Sequence, residues 1–86
     1  MHNREILLSN FDKLHTTKMG VNRIRRNLSL DSINVVQWCL NVIQNKDSII
    51  TKKGKNFYIE FEDSILTVNA SSYTIITAHK IKKNVL

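Results

Sequence analysis

The chain has 86 residues, of which 42% are apolar and 23% are charged, and its formal net charge is +6 at pH 7. This length allows one small domain, and this composition argues against a disordered chain. The sequence contains no run of about eighteen apolar residues, so no transmembrane helix is predicted. The single cysteine, Cys39, lies in an apolar segment. We predict a buried thiol without a disulfide, in a reducing, cytoplasmic setting.

The basic residues are clustered along the sequence. The three clusters are Lys18 with Arg23, Arg25 and Arg26; Lys52, Lys53 and Lys55; and Lys80, Lys82 and Lys83. Clustered cations are typical of proteins that bind polyanions. RNA, another polyanion or an acidic protein is therefore the predicted partner, and a solvated basic surface without a binding role is the alternative.

Three segments in the first half have the apolar spacing of amphipathic helices. The predicted helices run from about Asn3 to Leu14, from Thr17 or Gly20 to Leu28, and from Asp31 or Ser32 to about Asn45. The third segment carries few charges, so it is predicted to be the central and most buried helix.

From Ser48 onward the apolar spacing changes to a period of two, which is typical of strands. The predicted strands are Ser48–Thr51, Asn56–Phe61, Ile65–Ala70 and Tyr73–Ile81. We predict a single domain over residues 1–86, with a helical half at 1–46 and an antiparallel sheet at 47–83. The fold class is α+β, with three N-terminal helices packed on one face of a four-stranded meander sheet.

The register of the two middle strands follows from a short turn between them. A two-residue turn at Glu62–Asp63 sets Tyr58 opposite Thr67 and Asn56 opposite Asn69. These four polar side chains then share the open face of the predicted sheet, while apolar residues pair on the other face. Matching character on both faces supports this register.

The register of the last strand depends on the length of the loop around Ser71–Ser72. A two-residue turn there directs His79 toward the core. A loop one residue longer directs Ile76 and Ala78 to the core, and Tyr73, Thr77 and His79 to the open face. We prefer the longer loop because it buries no histidine.

An open sheet face of this kind has groups that cleave RNA without a metal or a cofactor. Cleavage needs a base for the 2′-hydroxyl, an acid for the leaving 5′-oxygen, and cations or donors on the phosphate. The predicted catalytic residues are His79 as base or acid, Lys80 as the cation, and Thr77 and Tyr58 as hydrogen-bond donors. The predicted nucleic-acid-binding residues are Arg23, Arg25, Arg26, Lys53, Lys55, Asn69 and His15. No metal site is predicted, because the histidines and Cys39 lack ligand spacing.

Several motifs resemble those of a small bacterial family that is known only as a domain of unknown function. They are His15-Thr16-Thr17-x-x-Gly20-x-x-Arg23-Ile24-x-x-Asn27-Leu28, Gly54-Lys55-Asn56-Phe57-Tyr58, Thr67-Val68-Asn69 and Ser72-Tyr73-Thr74-Ile75-Ile76-Thr77-Ala78-His79-Lys80. The resemblance covers nearly the whole chain, and it implies no particular activity.

The order of elements is also similar, more loosely, to the RNase superfamily that includes the barnase, RelE and colicin D toxins. Its members cleave RNA on the open face of such a sheet, with His, Arg or Lys, and Ser or Thr. This similarity implies a toxin-type endoribonuclease with roles for Thr77, His79 and Lys80, and for Arg23 and His15. It is an analogy of fold and chemistry and not a motif match.

Two other functions remain open at this point. One is a nucleic-acid-binding module without catalysis, such as a winged helix that uses Arg23, Arg25 and Arg26, although the third helix is too apolar to enter a groove. The other is a small phage-type inhibitor that binds another protein. A toxin-type enzyme implies a neutralising protein partner, and a core of this size would also gain stability from a homodimer.

Overall fold

The computed structural model describes residues 3–30 and 34–81. Within these ranges the chain forms three α-helices followed by four strands, so the predicted α+β class is confirmed. The elements are α1 (Asn3–Ser9), a 3-10 helix (Phe11–Lys13), α2 (Lys18–Leu28), α3 (Val35–Gln44), β1 (Ile49–Lys53), β2 (Asn56–Phe61), β3 (Ser64–Asn69) and β4 (Ile75–Lys80). None of the helices in these ranges has the length and apolar character that crossing a membrane requires.

The first helix is shorter than the apolar spacing predicted, because α1 ends at Ser9 and a 3-10 helix follows. The hydroxyl of Ser9 donates to the Glu5 carbonyl at 2.7 Å, and the amide of Asn10 donates to the Ile6 carbonyl at 2.8 Å. Such side-chain donors occupy the last helical carbonyls and offer the backbone an alternative to further helix.

The second and third helices begin at side-chain caps. Thr17 precedes α2, and its Oγ1 accepts a hydrogen bond from the Gly20 backbone N–H at 3.0 Å. Asn34 precedes α3, and its side chain accepts from the Gln37 backbone N–H at 3.1 Å. Caps of this kind satisfy N–H groups that the first turn leaves without a partner. The predicted start of the third helix, at Asp31 or Ser32, lies outside the described residues.

The four strands form one antiparallel sheet in the order β1-β2-β3-β4. Tyr58 lies opposite Thr67 and Asn56 lies opposite Asn69, as the two-residue turn predicted. In that turn Glu62 has a φ of 53°, and in the β1–β2 turn Gly54 has a φ of 62°. Left-handed residues of this kind are typical of tight hairpins.

The last strand contains a bulge that the sequence analysis missed. Thr67 pairs with Thr77 and Val68 pairs with Ile75, so β4 has one extra residue, Ile76, at this point. Ile75 and Ala78 are therefore buried, and the prediction that Ile76 lies in the core is wrong. A bulge changes which residues of a strand face each side.

The segment before β4 also differs from the prediction. Tyr73 was assigned to the last strand and to its open face, but β4 begins only at Ile75. Tyr73 has a φ of 58°, which is rare outside glycine, and its side chain packs against the edge of the core.

One hydrophobic core joins the helices to the sheet. Its buried members are Leu7, Ile24, Leu28, Val35, Cys39, Val42, Ile43, Phe57, Ile59, Leu66, Val68, Ile75 and Ala78. Four of them belong to α3, which agrees with its predicted central position. Cys39 is buried, as predicted, and burial raises the pKa of its thiol to about 12.

The segment from His15 to Asn27 covers the outer edge of β4. The backbone N–H of Ile75 donates to the His15 carbonyl at 2.7 Å, and the hydroxyl of Thr16 donates to the Ile75 carbonyl at 2.8 Å. Near the other end of the strand, the Asn27 side chain donates to the Ala78 carbonyl at 3.1 Å. Backbone groups that would otherwise end the sheet are therefore satisfied within the chain.

Candidate functional site

On each strand, the residues between the buried positions point to the other side of the sheet. On that side the paired residues form two rows that cross all four strands. The first, which we call the polar row, consists of Thr51, Tyr58, Thr67 and Thr77, one from each strand. The second row consists of Ile49, Glu60, Ile65 and His79. Together with Lys53, Asn56 and Asn69, these residues form the polar face. Neighbouring strands lie about 4.8 Å apart, so each row is a regular ladder of side chains.

Three of the four predicted catalytic residues lie on the polar face. Thr77 and His79 are two positions apart on β4, and Tyr58 lies two strands away from Thr77 in the same row. The longer loop therefore predicted correctly that His79 points to this face. In the structure this direction results from the bulge in β4. His79 is exposed and its side chain makes no hydrogen bond within the described residues, so its ring is free to reach a ligand.

The fourth predicted catalytic residue, Lys80, does not share this face. It pairs with Ser64, whose side chain is buried, and so occupies a position that alternates with His79. Successive residues of a strand point to opposite sides of the sheet. Lys80 is exposed at the end of β4, where its long side chain lies at the margin of the sheet.

Helix α2 brings arginines to the border of the polar face. The Asn27 side chain lies 3.5 Å from Thr77 Oγ1, which belongs to the polar row. Residues three and four positions apart lie on the same side of a helix, so Arg23 shares this side with Asn27, and Arg26, three positions after Arg23, continues the basic surface toward solvent. Arg23 and Arg26 are exposed and form no ion pair within the described residues. We call these three residues the α2 rim.

An open groove of about 190 Å³ lies beside the α2 rim at the start of β4. Its lining residues are Thr17, Met19, Gly20, Arg23, Thr74, Ile75 and Ile76. Gly20 is required here, because a Cβ at this position would collide with Thr16 Oγ1 and lie 3.5 Å from the Ile75 carbonyl. The absence of a side chain lets α2 approach β4 and sets the distance between Arg23 and the polar face.

Arg25 differs from the other two arginines of α2. It is half-buried, and its Nε is buried without a hydrogen-bond partner within the described residues. A guanidinium in this position covers apolar surface with its stem. It is therefore less available to a ligand than Arg23 or Arg26, in agreement with its position at the flank of the apolar stripe of α2.

Charge is distributed unevenly along the strands. Lys52, Lys53 and Lys55 lie at the β1–β2 turn, whereas Glu60, Glu62 and Asp63 lie around the β2–β3 turn. His79 belongs to the same row as Glu60, two strands away and about 10 Å from it. The structure thus separates the predicted contacts Lys53 and Lys55 from His79 by most of the length of the sheet.

Two predicted nucleic-acid contacts have structural hydrogen bonds. The side-chain oxygen of Asn69 accepts from the backbone N–H groups of Ser71 and Ser72, both at 2.9 Å, and so shapes the β3–β4 loop. His15 bonds through Nδ1 to the Lys13 carbonyl at 2.8 Å and through Nε2 to Thr74 Oγ1 at 3.1 Å. An asparagine before two serines is a known turn signal and could have indicated the first of these roles.

Thr16, Gly20 and Asn27 are the residues that sequence reasoning missed. They belong to the quoted motif, but their contacts with β4 span 51 to 59 positions of sequence, as for Asn27 with Ala78 and Thr16 with Ile75. Only the fold brings them together. Among the described residues, no group of three or more histidine, cysteine or acidic side chains could hold a metal ion.

A family model described as "Protein of unknown function (DUF3781)" matches residues 8–79. The match includes His15, the α2 rim and His79. It confirms the family resemblance drawn from the motifs. The search of curated proteins and the search of solved structures gave no match, and the similarity to the barnase, RelE and colicin D fold stays a prediction.

Proposed function

The chain belongs to the DUF3781 family, and we propose that it is a metal-independent endoribonuclease of toxin type. In this proposal the three helices lie against one face of the sheet, and RNA binds on the opposite, polar face. The α2 rim holds the phosphate, and His79 transfers protons. The observation that carries the proposal is the reach of Asn27 over the β4 edge to Thr77, which joins the arginines to the face that bears His79.

The proposed reaction needs no metal and no cofactor, and water exchanges the proton that His79 does not transfer. The ribose 2′-oxygen attacks the adjacent phosphorus and loses its proton, and the 5′-oxygen leaves and gains one. His79 is the group that takes the first proton or supplies the second. Arg23 and Arg26 balance the charge on the phosphate, and the hydroxyls of Thr77 and Tyr58 donate hydrogen bonds.

The hydrogen bonds of the polar row support this division of roles. Thr67 is buried, with an exposure of 8%, because it lies between Tyr58 and Thr77 on the two neighbouring strands. The Tyr58 hydroxyl lies 3.5 Å from the Asn56 side-chain nitrogen, so it is steered only weakly. Half-buried groups on strands are held in position with little loss of side-chain entropy on binding.

A non-catalytic RNA-binding protein is the second candidate. The observation in its favour is that His79 has no hydrogen-bond partner within the described residues to fix its ring. Effective general acids and bases are oriented by a second group. In this case the α2 rim and the polar face would bind the polyanion, and His79 would have no special role.

Cleavage of a structured RNA in excess EDTA tests the first candidate. We expect His79→Ala to lower the cleavage rate by about a hundredfold or more, which is the usual contribution of a general acid or base. RNA binding, followed by fluorescence anisotropy, should change little. If RNA stays intact at micromolar protein across several substrates while binding is preserved, the protein is not a ribonuclease. The non-catalytic RNA-binding protein is then the better candidate.

The α2 rim is tested by binding at several salt concentrations. Arg23→Ala and Arg26→Ala should each weaken binding and reduce its salt dependence, because each phosphate contact releases counterions. Lys46→Ala removes the same charge from the exposed loop before β1 and is the matched control. Equal losses for all three variants would mean that only net charge matters, and no binding at all would exclude both candidates.

The remaining parts of this proposal concern the setting of the protein. We propose a cytoplasmic protein, RNA or another polyanion as its ligand, and a neutralising protein partner. The case for a partner rests on the proposed enzyme, because an unregulated ribonuclease would damage the cell that makes it. The homodimer stays a separate prediction, which sedimentation or light scattering would test.

A further inference from the structure

The two edges of the sheet differ in how their backbone groups are used. At the β4 edge, groups of the chain itself occupy the N–H and C=O of Ile75 and the C=O of Ala78. At the β1 edge, the Arg4 guanidinium donates to the Ser48 carbonyl just before the strand, but no described residue bonds to the outer side of β1 itself, Ile49–Lys53. β1 pairs only with β2. A strand with a free edge can accept an additional strand.

The register shows which groups of β1 are free. Lys53 and Asn56 flank the two-residue turn at Gly54, so they exchange both of their backbone hydrogen bonds. Bonded and non-bonded pairs then alternate along the hairpin. Ile50 and Lys52 consequently direct their N–H and C=O groups outward, which gives four backbone groups without a partner among residues 3–30 and 34–81.

The side chains along this edge indicate the chemistry of a matching strand. Lys52 and Lys53 are exposed at the turn end, and Lys55 lies in the turn itself. At the other end of β1, Ile49 is 59% exposed. A strand that lies beside β1 would therefore meet cations at one end and apolar surface at the other.

We propose that the β1 edge is a docking site for an extended, acidic segment of a partner protein. The segment adds a fifth strand beside β1. Its acidic side chains lie next to Lys52 and Lys53, and an apolar side chain covers Ile49. Charge complementarity selects this occupant, because carboxylates are favoured beside Lys52 and Lys53, whereas a second copy of this chain would bring its own net charge of +6 to the edge.

This surface is separate from the α2 rim, which borders the other edge of the sheet. The inference does not depend on ribonuclease activity. It would hold for a binding protein as well, and it specifies the surface on which a neutralising partner would act.

The direct test uses a peptide of eight residues with blocked ends, in which four valines are followed by four glutamates, so that glutamates lie on both faces beside Lys52 and Lys53 and a valine lies beside Ile49. Titration into isotopically labelled protein should shift the backbone amide signals of Ile50 and Lys52 and slow their hydrogen exchange. The amide of Ile75, on the covered edge, should not change and is the internal control. Shifts that centre on β4 or on α2 would overturn the proposal.

Two control peptides separate charge from strand pairing. A peptide with lysine in place of glutamate should bind more weakly by at least about tenfold, since it repels Lys52 and Lys53. A peptide with alternate backbone amides N-methylated keeps its charge but cannot pair as a strand. If it binds as well as the parent, the contact is only electrostatic and the proposal is wrong.

Substitutions in β1 test the same point from the side of the protein. Lys52→Ala should weaken binding about threefold, as expected for one exposed charge pair. Lys52→Pro also removes an outward N–H and should weaken binding about tenfold. Proline is tolerated at such edge positions, and the N-methylated peptide covers the case in which this variant does not fold. Lys18→Ala, on α2, should leave peptide binding unchanged.

Self-association provides the last outcome. If the protein is a dimer at the working concentration and the exchange of the Ile50 and Lys52 amides slows as its concentration rises, then another chain of the same kind occupies the edge. That result would overturn the proposed acidic partner.

Discussion

The two edges of this sheet represent different solutions to the same physical problem. A free strand edge exposes unpaired N–H and C=O groups to other chains. The protein covers the β4 edge with the segment from His15 to Asn27, in which one backbone bridge and two side chains replace a further strand. The β1 edge carries lysines instead. Its outward backbone groups have no partner among the described residues, and the lysines select a partner strand by its charge.

This contrast shows how the family motif works. His15, Thr16, Gly20 and Asn27 lie far from β4 in the sequence, yet each of them contacts that strand or permits its approach. The same helix presents Arg23 beside the start of β4, at the border of the polar face, and exposes Arg26 to solvent. A covered edge is therefore also the means of placing cations beside the sheet.

The largest effect on stability is expected from a side chain added between α2 and β4. In an ordinary helix, Gly→Ala stabilises by about 1 kcal/mol. Here, Gly20→Ala should instead destabilise by about 1–3 kcal/mol, because its Cβ would collide with Thr16 Oγ1. Chemical denaturation measures this change.

A double substitution gives the control for that prediction. Thr16→Ala removes the colliding hydroxyl, so Gly20→Ala should cost less in a Thr16→Ala background than in the wild type. A Gly20→Ala protein as stable as the wild type would mean that α2 is not held close to β4.

The next effect concerns the hydrogen bond from Thr16 to Ile75. Thr16→Val keeps the shape of the side chain but leaves the Ile75 carbonyl without its partner, so we expect a loss of about 1–2 kcal/mol. Thr51→Val makes the same change on the exposed β1 strand and should stay within about 0.5 kcal/mol. Equal losses of stability for the two variants would mean that the hydrogen bond at the β4 edge contributes no more than an exposed hydroxyl on β1.

A smaller effect on stability is expected at Asn27. Asn27→Ala loses the bond to the Ala78 carbonyl, which costs about 1 kcal/mol, but it gains up to about 0.5 kcal/mol of helix propensity. Asn22→Ala, at an exposed position of the same helix, gains the propensity without the loss. We expect opposite shifts in melting temperature. If both variants melt higher than the wild type, Asn27 does not secure the β4 edge.

The same variant links the edge to the proposed function. Asn27 reaches Thr77 on the polar face, so its removal should loosen the position of the α2 rim. RNA binding by Asn27→Ala should therefore weaken, although no charge changes. If RNA binding is unchanged, the contact of Asn27 with β4 does not help to position the proposed RNA site.

The sequence was sufficient for the local features of the fold. Periodicity identified the three α-helices and the four strands of the described part, and the short turn at Glu62–Asp63 set the pairing of Tyr58 with Thr67. The bulge at Ile76 could not be predicted, because it depends on how Asn69 shapes the preceding loop and on how α2 packs beside β4. The same limit applies to the site. His79 was recognised by residue type, whereas the link between Asn27 and Thr77 exists only in three dimensions.

The last prediction requires no substitution. It compares the rates of hydrogen exchange of single backbone amides in the wild-type protein. The Ile75 N–H donates to the His15 carbonyl at 2.7 Å, whereas the N–H groups of Ile50 and Lys52 face outward from β1. Hydrogen exchange should therefore be slower at Ile75 by about two orders of magnitude or more, because its amide is released only when the edge cover opens. Comparable protection at Ile50 and Lys52 would show that something covers the β1 edge in solution. Protection that rises with protein concentration would identify a second copy of the chain, and protection independent of concentration would identify a segment of the same chain.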